Sequence, residues 1–286
     1  MTSTYYIGVD GSGPSRAALR WGVRRAAERG AAVVLVNTVD DEWGLVGRDA
    51  AAAAERQARE LLAEESERVA ALRSGVTLTT RIVHGGTAWE LARLPQPEDL
   101  LIVGTHKTGF LRGRVLGSRS VQIASAARCS VAIVPDTTLE SRRDVVVGVD
   151  GSDGCLPAVT VGAAEADRLD QDLLLVYAPP GQPEASDERS PHTTRILFEA
   201  ALVAANTAPG ITVRRRVAHR DPAEALLDAS FDAALLILGV STRHADHALI
   251  GAVTHDVLMN INVPVLISRG TAQVADSAAL ASAARA

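Results

Sequence analysis

Short apolar runs alternate with longer amphipathic stretches along the whole chain. Tyr5–Asp10, Val33–Val39 and Leu100–Gly104 have the length and apolar density of strands buried on both faces. Between the first two, Ala18, Leu19, Gly22, Val23, Ala26 and Ala27 recur with helical period, and Gly30 follows as a stop. Ala50 to Arg73 reads as a longer amphipathic helix in which Glu64 stands one turn before Arg68. Thr87-x-x-Glu90 has the spacing of a capping box and opens a third helix. The third strand is different. Val76, Leu78, Thr80 and Ile82 alternate with Thr77, Thr79, Arg81 and Val83, a period-two pattern with one polar face that predicts a sheet edge.

The pattern then repeats. Gly8-Val9-Asp10-Gly11-Ser12 recurs as Gly148-Val149-Asp150-Gly151-Ser152, and the same offset holds without a gap through Ala18/Ala158, Gly22/Gly162 and Ala26/Ala166 to Val36/Val176. Leu101-Ile102-Val103-Gly104 matches Leu236-Ile237-Leu238-Gly239, and Val131-Ala132-Ile133 matches Val265-Leu266-Ile267. The second copy has its own helix opening at Asp221-Pro222-Ala223-Glu224 and its own alternating strand at Ile211, Val213, Arg215 and Val217. These are two diverged copies of one domain, 1–138 and 142–270, joined by the short polar segment from Asp136 to Arg143. Residues 271–286 are Ala/Ser-rich with little to bury, and are expected to form a flexible tail.

Alternating strands and helices with right-handed crossovers predict an α/β fold, two tandem Rossmann-like domains. Each is an open five-stranded parallel sheet flanked by helices. With strand three at one edge the order is 3-2-1-4-5. The order reverses between strands one and four, so a ligand crevice is expected at the C-terminal ends of those strands.

Composition narrows the function classes. The 286 residues are 47% hydrophobic and 22% charged, which suits two ordinary globular domains and excludes a disordered or coiled-coil chain. Aromatics are only 3%, so the core must be built from Ala, Val, Leu and Ile. The net charge of −5 provides no whole-chain basic footprint for nucleic acid or an anionic membrane, and neither is expected as a partner. Cys129 and Cys155 sit in no CxxC or Cys/His cluster and read as packing thiols of a reducing compartment. The N-terminus has no charged and apolar leader pattern, and the apolar runs are far short of the roughly 20 residues that span a bilayer. A cytoplasmic protein is expected.

The window after Gly104 has the candidate chemistry. It holds Lys107, Arg112, Arg114 and Arg119 without an acid, opposing the sign of the whole chain, and Gly117-Ser118 opens the fourth helix. Free N–H groups at a helix N-terminus are a ready phosphate seat. A solvated basic loop is the alternative. Trp43, after strand two, is placed to cover a base, whereas Trp21 and Trp89 lie on helices where burial is expected. His244, Asp246, His247 and His255 offer metal-ligand types, but loop spacing does not establish convergent geometry and no metal is expected. His84 and His219 precede the third helices, facing the crevice or simply entering the helix. Neither a Gly-x-Ser-x-Gly elbow nor a Walker pattern occurs, and one crevice carboxylate per copy, Asp10 or Asp150, makes no acid/base pair. An enzyme is not expected.

The paired Gly-Val-Asp-Gly-Ser strands, the Asp221-Pro222-Ala223-Glu224 segment, and Gly104…Gly117-Ser118 followed by Val131-Ala132-Ile133-Val134 together resemble the universal stress protein family. The resemblance covers nearly the whole chain, twice, as in a tandem member. It implies the same 3-2-1-4-5 sheet and, in the nucleotide-binding branch, ATP held by G-x2-G-x9-G-(S/T). Carried over residue by residue, the motif matches Gly104, Gly117 and Ser118, with Lys107 at the second glycine. The resemblance thus implies a first-copy nucleotide site of Gly8, Val9 and Asp10 after strand one and Thr38 in strand two. Gly104, Thr105 and Lys107 follow strand four, and Gly117, Ser118, Arg119 and Ser120 open the fourth helix. Its ligand would be ATP, with or without Mg2+, or another adenine nucleotide. In the second copy Gly239 is kept, Thr242 replaces the second glycine, the interval to Gly251 is one residue shorter, and Ala252 stands where Ser118 stands. That copy is expected to bind no ATP. The resemblance further implies pairing through the fifth strands, Val131–Val134 and Val265–Ser268, within the chain or in a homodimer. A stress-response regulator is the leading expectation, its protein partner unidentified. A nucleotide-independent interaction scaffold is the alternative, and a slow ATPase has less support.

Overall fold

The computed structural model describes residues 3–40, 48–72, 74–105, 118–137, 142–152, 154–179, 190–240 and 250–270. The chain divides into two compact units, Met1–Asp136 and Thr137–Ala286. Both are α/β, and every strand pair within each unit is parallel.

The first unit runs β1 (Thr4–Gly8), α1 (Gly13–Arg29), β2 (Ala32–Val39), α2 (Arg48–Ala71), β3 (Leu78–His84), α3 (Thr87–Arg93), β4 (Leu100–Thr105), α4 (Ser118–Ala126) and β5 (Ser130–Pro135). Its strand order is β3-β2-β1-β4-β5. The second runs β6 (Val145–Val149), α5 (Cys155–Leu169), β7 (Leu173–Tyr177), α6 (Pro191–Thr207), β8 (Val213–Val217), α7 (Pro222–Ala229), β9 (Leu235–Gly239), α8 (Ala252–Met259) and β10 (Val265–Ser268), in the order β8-β7-β6-β9-β10. Both orders are the predicted 3-2-1-4-5. The central strands are buried along their length, as β4 and β7 show, while β3 and β8 expose their middle residues and form the expected polar edges.

Helix α1 begins where Ser12 accepts a hydrogen bond from the Ser15 N–H at 3.3 Å, and it ends at Gly30 in the left-handed region, φ 65°. The core is aliphatic. Ile7, Leu35, Leu100, Ile102 and Ile133 are fully buried in the first unit, and Leu173, Leu175, Leu235 and Ile237 in the second. Cys129 and Cys155 are both buried free thiols.

Three local expectations are corrected. Thr87 is the first helical residue of α3, and Gly86 is the N-cap without a side-chain bond. A hydroxyl one place into the helix cannot act as the cap of a capping box, and Glu90 is buried and pairs with Arg93 at 3.1 Å instead. In the second unit Asp221 does cap, accepting from the N–H groups of Ala223 (2.9 Å) and Glu224 (3.2 Å). On α2, Arg68 pairs with Glu65 at 3.4 Å, since Glu65 is the buried carboxylate of that turn while Glu64 faces solvent. Trp89 is 65% exposed: its neighbours Glu90, Leu91 and Ala92 fill the inner side of a short helix and leave the indole outside. Trp43 and residues 271–286 lie outside the described residues.

Candidate functional site

Strand β1 pairs with β2 on one side (Thr4↔Ala32 to Gly8↔Val36) and with β4 on the other (Tyr5↔Leu100 to Ile7↔Ile102). The helices divide accordingly. Ile7 and Ile102 reach Gly22 on α1, whereas Gly8 meets Leu91 of α3. The sheet direction of travel therefore reverses at β1/β4, and the chain leaves both strands at their C-terminal ends beside that switch point.

The end of β1 is tightly braced. The Val9 N–H donates to the Val36 carbonyl at 2.8 Å, and the Val9 carbonyl accepts from the Asn37 amide at 2.7 Å. The Asp10 N–H donates to Ser15 Oγ at 3.1 Å, and the Asp10 carboxylate accepts from the Ser12 N–H at 2.9 Å while remaining exposed. This Asx-type turn holds a carboxylate at the mouth of the switch point. The second unit repeats it, Asp150 accepting from the Ser152 N–H at 2.9 Å.

Thr38 lies on the same sheet face as Gly8, near the end of β2. Its hydroxyl oxygen is buried with no hydrogen-bond partner among the described residues. An unsatisfied buried hydroxyl carries a desolvation cost, and it suits a position that a ligand donor or acceptor completes.

Gly104 has a packing role of its own. A Cβ there would fall on the Pro14 carbonyl and 2.6 Å from the Ser15 nitrogen, so only glycine lets α1 begin this close to β4. Gly239 is in the same position, its Cβ falling on Gly154. Retention of this glycine in both copies thus follows from helix–strand packing whether or not a ligand binds.

Of the remaining candidates, Thr105 ends β4 and is buried, Ser120 is buried in the first turn of α4, and Arg119 is exposed beside it. Ser118 opens α4. Lys107 and Gly117, with residues 106–117 as a whole, lie outside the described residues, as do Thr242 and the run His244–His247. Ala252 is the first residue of α8, after Gly251 as N-cap, and has no hydroxyl to offer. His84 and His219 are exposed, and His255 lies 3.1 Å from Asp256 on an exposed helix face. No helix among the described residues is long and apolar enough to cross a membrane.

Sequence reasoning missed two groups at this rim, and the structure adds detail to a third in the second unit. Asn37 is the polar residue within an apolar strand, a visible but unused signal. Glu65 is fully buried on α2 and accepts from Arg16, in the first turn of α1, at 3.0 Å. Cys155 stands where the first unit has Ser15, and burial raises its pKa above the ordinary thiol value against the lowering effect of backbone hydrogen bonds at Asp150 and Gly151. A protonated, buried thiol is a packing group.

The model of the universal stress protein family matches residues 1–135 and again 141–269. This chain belongs to the universal stress protein family. A universal stress protein of Mycolicibacterium smegmatis is 28% identical over 284 residues, covering 92% of this chain and 96% of the relative. The fold matches the crystal structure of a universal stress protein from Archaeoglobus fulgidus with a TM-score of 0.74, covering 94% of this chain and 98% of that one at 17% identity. Another from Archaeoglobus fulgidus, solved in complex with dAMP, aligns with 45% of this chain and 99% of its own length at 22% identity and a TM-score of 0.38.

Proposed function

We propose that this tandem universal stress protein binds ATP in its first unit and acts as a cytoplasmic regulator rather than as an enzyme. The carrying observation is placement. The interval Gly104–Lys107–Gly117–Ser118 joins the end of β4, at the switch point, to the N-terminus of α4. Phosphates are favoured at such a helix start. The exposed Asp10 carboxylate and the Thr38 hydroxyl, which has no partner among the described residues, suit the ribose and base of a nucleotide. In this reading Lys107 supplies an ammonium where a second glycine would supply main-chain proximity, with or without Mg2+ at the phosphates. The second unit, with Ala252 in place of a hydroxyl, holds no ATP. The fifth strands, β5 and β10, remain the proposed pairing elements, within the chain or between chains.

Calorimetric titration of ATP into the full chain tests the site. Binding should occur with one site per chain and be abolished by Gly117→Val combined with Lys107→Ala. Unchanged affinity in that double variant would refute the assignment, and binding of two nucleotides per chain would refute the silence of the second unit.

A further inference from the structure

The outer edges of the two units are complementary to each other at matching positions. Helices α2 and α6 are equivalent: Leu61 and Ile196 each lie 3.0 Å from the Cβ position of the matching Gly11 and Gly151, and Ala58, Leu62, Glu65 and Val69 are buried as Thr193, Leu197, Ala200 and Ala204 are. The edge strands are equivalent by register, Leu78 facing Val33 as Val213 faces Leu173, so Thr80 corresponds to Arg215.

In the first unit this edge is a hollow. Arg59, Leu62, Ala63 and Ser66 of α2 with Thr80 and Ile82 of β3 border an open hollow of about 440 Å3. A cavity of roughly 150 Å3 already accepts a benzene ring, so a phenyl group has ample room. Exposed Glu60, Glu64 and Glu67 surround Ala63 on the same helix, with exposed Arg56 and Arg68 beyond them. Arg59 is itself paired with Glu55. In the second unit the same edge is a knob. Phe198 stands where Ala63 does and is 58% exposed, and Leu202 stands where Glu67 does and is 51% exposed. Its rim gains positive charge on the same face: Arg195 replaces Glu60 and Arg215 replaces Thr80, both exposed, while Glu199 keeps the place of Glu64. The first unit folds with Ala63 and Glu67, so packing does not require Phe198 and Leu202.

We infer that the Phe198–Leu202 face of one copy docks into the α2–β3 hollow of a second copy of this chain. Both shape and charge select this occupant. An exposed aromatic anchor flanked by arginine is the usual composition of an interface centre, and here the matching hollow and carboxylates are on the same polypeptide. Arg195 precedes Phe198 by one turn, while Glu60 and Glu67 lie one turn to either side of Ala63, so either helix direction brings a carboxylate to Arg195. The contact joins unlike faces and is heterologous.

Sedimentation of the full chain over a concentration series tests this, with melting curves to confirm folding. Association should weaken roughly tenfold or more in Phe198→Asp, in Leu202→Lys and in Ala63→Trp, and should fall as salt rises. Phe198→Asp chains keep a sound hollow and Ala63→Trp chains keep a sound knob. Mixed, they should form a one-to-one complex of wild-type strength that neither forms alone. A wild-type chain that does not associate, association unaltered in Phe198→Asp and Leu202→Lys, or failure of the mixture to recover would each overturn the proposal.

Discussion

The first unit holds a buried carboxylate between two partly exposed arginines at positions where the second unit has only apolar residues. Glu65 is fully buried and holds Arg16 at 3.0 Å and Arg68 at 3.4 Å, tying α2 to the first turn of α1 beside the crevice. The corresponding residues of the second unit are Ala200, Leu156 and Val203, an apolar set on the same backbone. Gly104 and Gly239, by contrast, are unchanged. Positions that the backbone path demands are kept in both copies. Positions that only side chains negotiate have drifted, and these include the helix-start pair Ser118/Ala252 and the edge pair Ala63/Phe198. The duplication separates what the fold needs from what one unit alone uses.

The sharpest way to break that comparison is to treat the two glycines alike. Gly104→Ala and Gly239→Ala each place a methyl group on main-chain atoms of the helix opposite, which cannot rotate away. Each should cost about 2–3 kcal/mol in urea unfolding. A neutral Gly239→Ala would show that the second unit keeps its glycine for some reason other than close packing.

The triad predicts a smaller, non-additive effect. Arg16→Leu alone leaves the Glu65 carboxylate buried with one partner fewer, and should destabilise by about 2 kcal/mol, below the full penalty for a buried pair because the arginines reach solvent. Replacing all three by the second unit's residues, Arg16→Leu with Glu65→Ala and Arg68→Val, should restore most of that loss, since no charge then stays buried without its partners. If the triple variant is as unstable as the sum of the single changes, the apolar set is not an equivalent solution for the first unit.

Much of this was legible in the sequence because repetition and periodicity carry it. The Gly-Val-Asp-Gly-Ser pair, the apolar runs and the alternating third strands fix the sheet order, and the structure follows them element by element. Where sequence reasoning slipped, the distinction was one of register or direction. Thr87-x-x-Glu90 has the spacing of a capping box but begins one residue inside the helix, and Trp89 takes the outward side of a helix too short for the pattern to show which side that is. Gly104 illustrates a deeper limit. A glycine that lets a ligand approach and one that lets a helix approach read identically until the Pro14 carbonyl is placed against it. The positions of Asp10 and Gly104 at strand ends were readable, whereas the buried Glu65 was not, because a single acid in an acid-rich helix has no pattern to mark it.

The mildest difference, Ser15 against Cys155, gives the finest test. Ser15 Oγ accepts the Asp10 N–H, and the Cys155 sulfur sits at the same helix start with backbone hydrogen bonds at Asp150 and Gly151. Burial is the largest influence and raises the thiol pKa above its ordinary 9.0. The folded state therefore holds this proton more firmly than the unfolded chain. The resulting stability is present in full below the unfolded thiol's pKa and is lost as pH rises through the folded value. Cys155→Ser removes the titration and installs the first unit's own solution. At pH 7 the variant should lie within about 1 kcal/mol of wild type, and the wild type should lose ground to it as the pH climbs past about 9. Urea midpoints measured in parallel at the two ends of that range decide the matter. A constant difference would mean that the thiol is not held protonated by burial, and that the two helix starts are interchangeable in a way their chemistry does not predict.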